Sequence, residues 1–175
     1  MIQLLKMKLI GKSIAIIVIL ATLRSTEGHG DGAPVTSCAN LAPAHIKDNA
    51  PISAQPESTF PYTLSFVAVN EEGQIGSGDS MTIKLSSNFQ GFLIEARQGE
   101  SPIGTFDVMG DANIKTIDCG SGQKNAITHT NPTVKESISA TWTPPAGFDD
   151  TIPLEFHVTV AQDHDVFWVN HVITV

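Results

Sequence analysis

Gly91-Phe92-Leu93-Ile94-Glu95-Ala96-Arg97 is the stretch that decides the fold. Phe92, Leu93 and Ile94 form a continuous apolar run, which suits a strand covered on both faces better than an edge strand open to water. Gly91 at its head marks a bulge or a close backbone approach. Arg97 at its far end is expected to reach solvent. The stretch reads as the central strand of a β-sandwich.

The segments around it carry the period-two pattern of strands. Tyr62, Leu64, Phe66 and Ala68 share one face of an expected strand over 62–69. Met81, Ile83 and Leu85 do so over 81–85, and a Gly-rich turn over 71–79 separates the two. Residues 86–90 are expected to turn the chain into the central strand. Beyond it, short strands are expected over 103–108, 113–118 and 126–130. Ile138, Ala140 and Trp142 alternate over 137–142, Leu154, Phe156, Val158 and Val160 over 154–160, and a last strand covers 166–175. Between residues 29 and 60, Pro34, Pro43, Pro51 and Pro56 exclude long helices and central strands, leaving an irregular wrapped segment with one short edge strand near Val35-Thr36. Eight or nine short strands with no amphipathic helix predict an all-β sandwich.

The N-terminus indicates the compartment. Lys6, Lys8 and Lys12 form a basic region, Ile14 to Leu23 is apolar apart from Thr22, and small residues lead to a cleavage site after Gly28. The apolar run is about half the roughly 20 residues that a membrane span needs. Residues 1–28 therefore read as a signal peptide and 29–175 as one secreted domain without a transmembrane segment. The whole chain carries a net charge of −8; residues 1–28 hold four of the ten basic residues and one of the eighteen acidic ones, so the remainder carries −11. Such an acidic domain is a poor binder of nucleic acid or anionic lipid. Its two cysteines, Cys38 and Cys119, make one disulfide in an oxidising compartment. The bridge would close a loop of about 80 residues, worth about 4 kcal/mol.

Several pieces, in order, resemble the reeler (reelin N-terminal-like) domain: Cys38-Ala39-Asn40-Leu41-Ala42-Pro43-Ala44-His45; Gly91 to Arg97; Cys119; Thr128-His129-Thr130; Ala140-Thr141-Trp142-Thr143-Pro144-Pro145; and Val158 to Gln162 leading to Phe167-Trp168. The chain is most similar to the single-domain secreted insect defence proteins of the noduler-like group. That resemblance implies an immunoglobulin-like β-sandwich and a haemolymph role in innate antibacterial immunity. It also implies binding to microbial cell-surface glycans or lipids, or to blood cells. The acidic character of the chain counts against simple electrostatic capture of anionic glycans.

No catalytic constellation stands out. The sequence has no Gly-x-Ser-x-Gly elbow, no P-loop and no His-Glu-x-x-His helix, and both thiols are expected in the disulfide. The expectation is a non-enzymatic protein with no cofactor and no resident metal. One alternative is a copper-dependent polysaccharide oxidase. An N-terminal His29 would supply amine and imidazole nitrogens to Cu(II), and a second histidine (His45, His129, His157, His164 or His171) would complete the site. Another is an extracellular adhesion module. Asp149, Asp150, Asp163 and Asp165 are candidate calcium ligands but read more readily as solvated turns. His45 and His129 lie seven and ten residues from their cysteines, so the disulfide would draw them together; with Arg97 they are candidates for a small polar recognition site, but they read more readily as loop-organising histidines bonded to backbone carbonyls. Trp142 reads as core. Phe167 and Trp168 point to opposite faces, and the less buried of the two, taken as Trp168, marks a candidate binding surface.

Overall fold

The computed structural model describes residues 28–68 and 79–175. The expected signal peptide, except Gly28, and the turn expected at 71–79, except Asp79, lie outside the described residues. The described chain is all-β and builds an immunoglobulin-like sandwich. Of its twelve strands, nine have three or more residues.

The strands in chain order are β1 (Ile46–Lys47), β2 (Ala50–Pro51), β3 (Thr63–Ala68), β4 (Met81–Phe89), β5 (Gly91–Gln98), β6 (Ser101–Pro102), β7 (Thr105–Asp107), β8 (Ile114–Ile117), β9 (Ala126–His129), β10 (Lys135–Thr143), β11 (Glu155–Ala161) and β12 (Phe167–Thr174). One layer has the order β3-β4-β10-β7. The other has the order β12-β11-β5-β9-β8, with β6 paired on β5, and β1 and β2 form a separate hairpin. β5 lies between β11, where Leu93 faces Thr159, and β9, where Leu93 faces Thr128.

The core follows from the alternation. Phe92, Ile94 and Ala96 of β5 join Ile83, Leu85, Trp142, Phe156 and Val158 between the layers. Trp142 is fully buried and satisfies its indole by donating to the Ile103 carbonyl at 3.1 Å. Leu93 points the other way and packs in a second cluster with Cys38, Leu41, Cys119 and Ala126. The stretch 91–96 is thus buried on both sides for two different reasons. Its inner face meets the opposite sheet. Its outer face is roofed by the N-terminal segment.

Two local expectations are corrected. Val35-Thr36 is no edge strand: Val35–Ala39 is a 3-10 turn that begins after extended Pro34 and carries Cys38 inward. The strand expected to end at Leu85 continues to Phe89, because Ser87 takes φ +100° and the register opposite shifts between Lys135 and Ser137. The shift absorbs the irregularity, so the strand runs on through the residues where a turn is expected.

Candidate functional site

Residues 28–45 cross the outer face of the β12-β11-β5-β9-β8 sheet, and polar side chains of that face hold them there. Cys38 is bonded to Cys119, which follows β8. The Thr159 hydroxyl donates to the Leu41 carbonyl at 2.8 Å. Thr128 accepts the Ala33 amide at 2.9 Å and donates to the Phe92 carbonyl at 2.6 Å. Arg97 donates to the Cys38 carbonyl at 3.0 Å. Each of these side chains occupies an outward position that would face water in a bare sheet; here each satisfies backbone that the roof would otherwise bury unpaired.

Below the disulfide sits Glu95, with no solvent exposure. Arg97, two residues along the same strand face, donates to its Oε2 from Nε at 2.9 Å and from Nη2 at 2.7 Å. Burial pushes the Glu95 carboxyl up, and Arg97 opposes that shift. Glu95 Oε1 also lies 3.2 Å from Cys119 Sγ, a contact without a proton because the sulfur is oxidised. The Arg97 side chain is only 12% exposed, which corrects the expectation that it reaches solvent. Glu95 is a buried carboxylate and the arginine folds back to pair with it.

His129 is fixed at both ring nitrogens. Nδ1 accepts the Phe92 amide at 3.2 Å, and Nε2 donates to the His29 carbonyl at 3.1 Å. That pattern requires the neutral imidazole with its proton on Nε2. Burial lowers the His129 pKa and Lys135 and Lys115 add to the effect, while the Phe92 carbonyl, 3.4 Å from Nδ1, and the His29 carbonyl oppose it. A Cβ on Gly91 would sit 2.9 Å from the His129 ring, so the glycine at the head of β5 is a close-approach glycine, as its position suggested. Gly32 has φ +114°, and its Cβ would lie 2.3 Å from the His129 carbonyl oxygen.

Between roof and sheet lies a half-open, mostly apolar cavity of about 210 Å³. Pro34, Leu41, Leu93 and Ala161 line its apolar part, and His45, His129, His164 and Asp163 also border it. His45 stacks on His164 with ring centroids 4.7 Å apart and meets the edge of Phe167 at 5.1 Å. His45 Nδ1 is buried with no hydrogen-bond partner. Burial lowers the His45 pKa, with His164 acting in the same direction.

Of the residues singled out in the sequence, His45 and His129 border one cavity. Arg97 is on the same sheet face but outside the cavity, committed to Glu95 and Cys38. Trp168 is neither in the cavity nor on a surface: it is 6% exposed, faces the core beside Tyr62, and donates from its indole to Thr59 at 2.9 Å. Phe167 points to the opposite face and is also buried, so neither member of the pair is the exposed one. The anchoring roles of Thr128 and Thr159, and the inclusion of His164, are findings of the structure alone. His29 also borders the cavity. Among the described residues, the one set of three metal-ligating atoms within 4.8 Å of one another is Cys38, Glu95 and Cys119, and its sulfurs are joined. Asp149 accepts from Thr151, Asp163 accepts the amides of Asp165 and Val166, and Asp165 pairs with Lys47. Three of the four aspartates thus cap turns or pair with a lysine.

Among the described residues, no helix is long and apolar enough to cross a membrane. The chain is 34% identical over 159 residues to "Putative defense protein 3" of Antheraea mylitta, covering 88% of this chain and 89% of that one. It is 32% identical over 154 residues to "Defense protein l(2)34Fc" of Drosophila melanogaster, covering 85% and 87%. The fold is similar to the crystal structure of the Reelin-N domain of F-spondin, with a TM-score of 0.50 and 20% identity over 64% of this chain and 83% of that one. The family model of the Reeler domain matches residues 36–174, and the chain belongs to the reeler domain family.

Proposed function

We propose that this protein is a secreted, non-enzymatic defence protein of the haemolymph that recognises microbial surface components through the cavity beneath its N-terminal roof. The observation that carries this reading is the cavity itself. It is apolar within and bordered by imidazoles and a carboxylate, and it is built by a roof that the disulfide and four side-chain hydrogen bonds hold in place. Sites that bind small groups are typically concave, largely apolar and supplied with a few fixed polar atoms. The names of the relatives support defence as the biological setting. The basic n-region and apolar run before Gly28 support secretion. Direct membrane disruption fits poorly, since membrane-active segments are amphipathic and basic and this chain has a net charge of −8.

The test is a pull-down of the secreted protein on whole bacteria and on isolated wall polymers, beside an acidic control protein of the same size. Retention above the control is expected. Retention equal to the control on every surface refutes the recognition reading.

A further inference from the structure

We propose that the cavity under the N-terminal roof binds a small primary amine carried on an apolar body of one ring's size. The proposal deepens the recognition reading and rests on this cavity being the recognition site.

Size sets the first limit. An engineered apolar cavity of about 150 Å³ accommodates benzene. The cavity here is about 210 Å³, room for one ring and an arm of two or three atoms. Its apolar lining from Pro34, Leu41, Leu93 and Ala161 suits the ring.

Charge sets the second limit. Asp163 borders the cavity, and its Oδ1 accepts the Asp165 and Val166 amides, each at 2.8 Å. Its other oxygen takes no further hydrogen bond among the described residues. Asp165, next along, is already paired with Lys47 and with His164 Nδ1. Asp163 and Asp165 thus share one lysine, Lys47, and the surplus negative charge at the cavity favours a cation over an anion. The third feature is His45, stacked on His164, whose buried Nδ1 has no partner. An ammonium group brings three donors, enough to engage Asp163 and, once the ring turns its buried Nδ1 toward the cavity, a neutral His45. A carboxylate would meet Asp163 as a like charge. A neutral alcohol would forgo the charge-assisted bond, which is roughly twice as strong as a neutral one.

The experiment is isothermal titration of the secreted, disulfide-bonded protein with 2-phenylethylamine, 2-phenylethanol and phenylacetate. Histidine side-chain NMR follows His45 and His164 in parallel. Saturable binding of the amine is expected, with the alcohol about tenfold weaker or worse, no binding of the acid, and shifts at both imidazoles. Asp163→Asn keeps the turn-capping oxygen and removes the charge; it should weaken the amine about tenfold while lowering the melting temperature by only about 2–4 °C, the cost of making the two capping bonds neutral. Ala161→Phe fills the cavity and should abolish binding. Equal affinity for amine and alcohol, a preference for the acid, or amine binding that leaves His45 and His164 unshifted overturns the proposal. The NMR outcome decides even if the filled variant does not fold. Amine binding without bacterial retention would fell the recognition reading alone. Bacterial retention without amine binding would fell this inference alone.

Discussion

Replacing Arg97 by Met tests the claim that the outer face is held by a buried ion pair and not by a solvent-facing arginine. Met keeps most of the apolar stem of Arg97 and removes three donated bonds: two to Glu95 Oε2, at 2.9 and 2.7 Å, and one to the Cys38 carbonyl at 3.0 Å. Glu95 has no solvent exposure, so it is left as a buried carboxylate without a counter-charge. Breaking one side of such a pair costs about 3–5 kcal/mol. At the lower figure the melting temperature of a domain this size should fall by roughly 6–12 °C. Burial already raises the Glu95 pKa and Arg97 opposes it, so the variant should raise it further. A group whose folded-state pKa is raised contributes stability that is present below its unfolded value and is lost as pH rises through the folded value. Arg97→Met should therefore lose most stability near neutral pH and recover part of it toward pH 5. The double variant Glu95→Gln/Arg97→Met removes the stranded charge and should recover much of the loss at pH 7. The assay is urea denaturation of the three proteins at both pH values. A loss below about 1 kcal/mol, the scale of a surface pair, or a loss that does not change with pH, would refute the reasoning.

Gly91→Ala places a methyl 2.9 Å from the His129 ring. It should cost about 1–3 kcal/mol by overpacking and speed hydrogen exchange at Gly32 and Ala33, where the roof is tied to His129 and Thr128. Cys38→Ala/Cys119→Ala releases a crosslink spanning 81 residues and should cost about 4 kcal/mol; limited proteolysis should then cut first within residues 28–45. The lowered pKa values of His129 and His45 make the neutral rings part of the fold. The stability they support should be present above the unfolded pKa of about 6.5 and lost as pH falls below it. A thermal scan from pH 7.5 to 5.5 should show that loss, and His129→Gln should flatten it.

The inner half of the fold was legible because it obeys one rule. Alternation in 62–66, 81–85, 137–142 and 154–160 names the core-facing residues, and Trp142 lies where its alternation puts it. The apolar run 92–94 correctly signalled a strand covered on both faces, but its two covers differ in kind. Charge at a strand end normally means exposure, which makes Arg97 look solvent-facing; Glu95, two residues earlier on the same face, is the available sign of a pair. Thr128 and Thr159 carried no usable signal, since a threonine alternating with apolar residues ordinarily faces water. The cavity joins Pro34, Leu93, His129 and His164, which no local pattern brings together. Val35-Thr36 has strand-like composition, but extended Pro34 followed by the disulfide at Cys38 fixes a 3-10 turn instead. Trp168 lost its role as a surface candidate because its indole finds Thr59 inside the aromatic cluster of Phe60 and Tyr62.

The most direct measurement is a hydrogen-exchange footprint of the secreted protein bound to the bacterial surface that retains it best. Added protection is expected at Ala33, Leu41 and His45 of the roof and across 161–166 at the histidine and aspartate border of the cavity. Protection confined to loops away from it, such as 108–113 or 145–152, with the roof unchanged, would contradict recognition through this cavity.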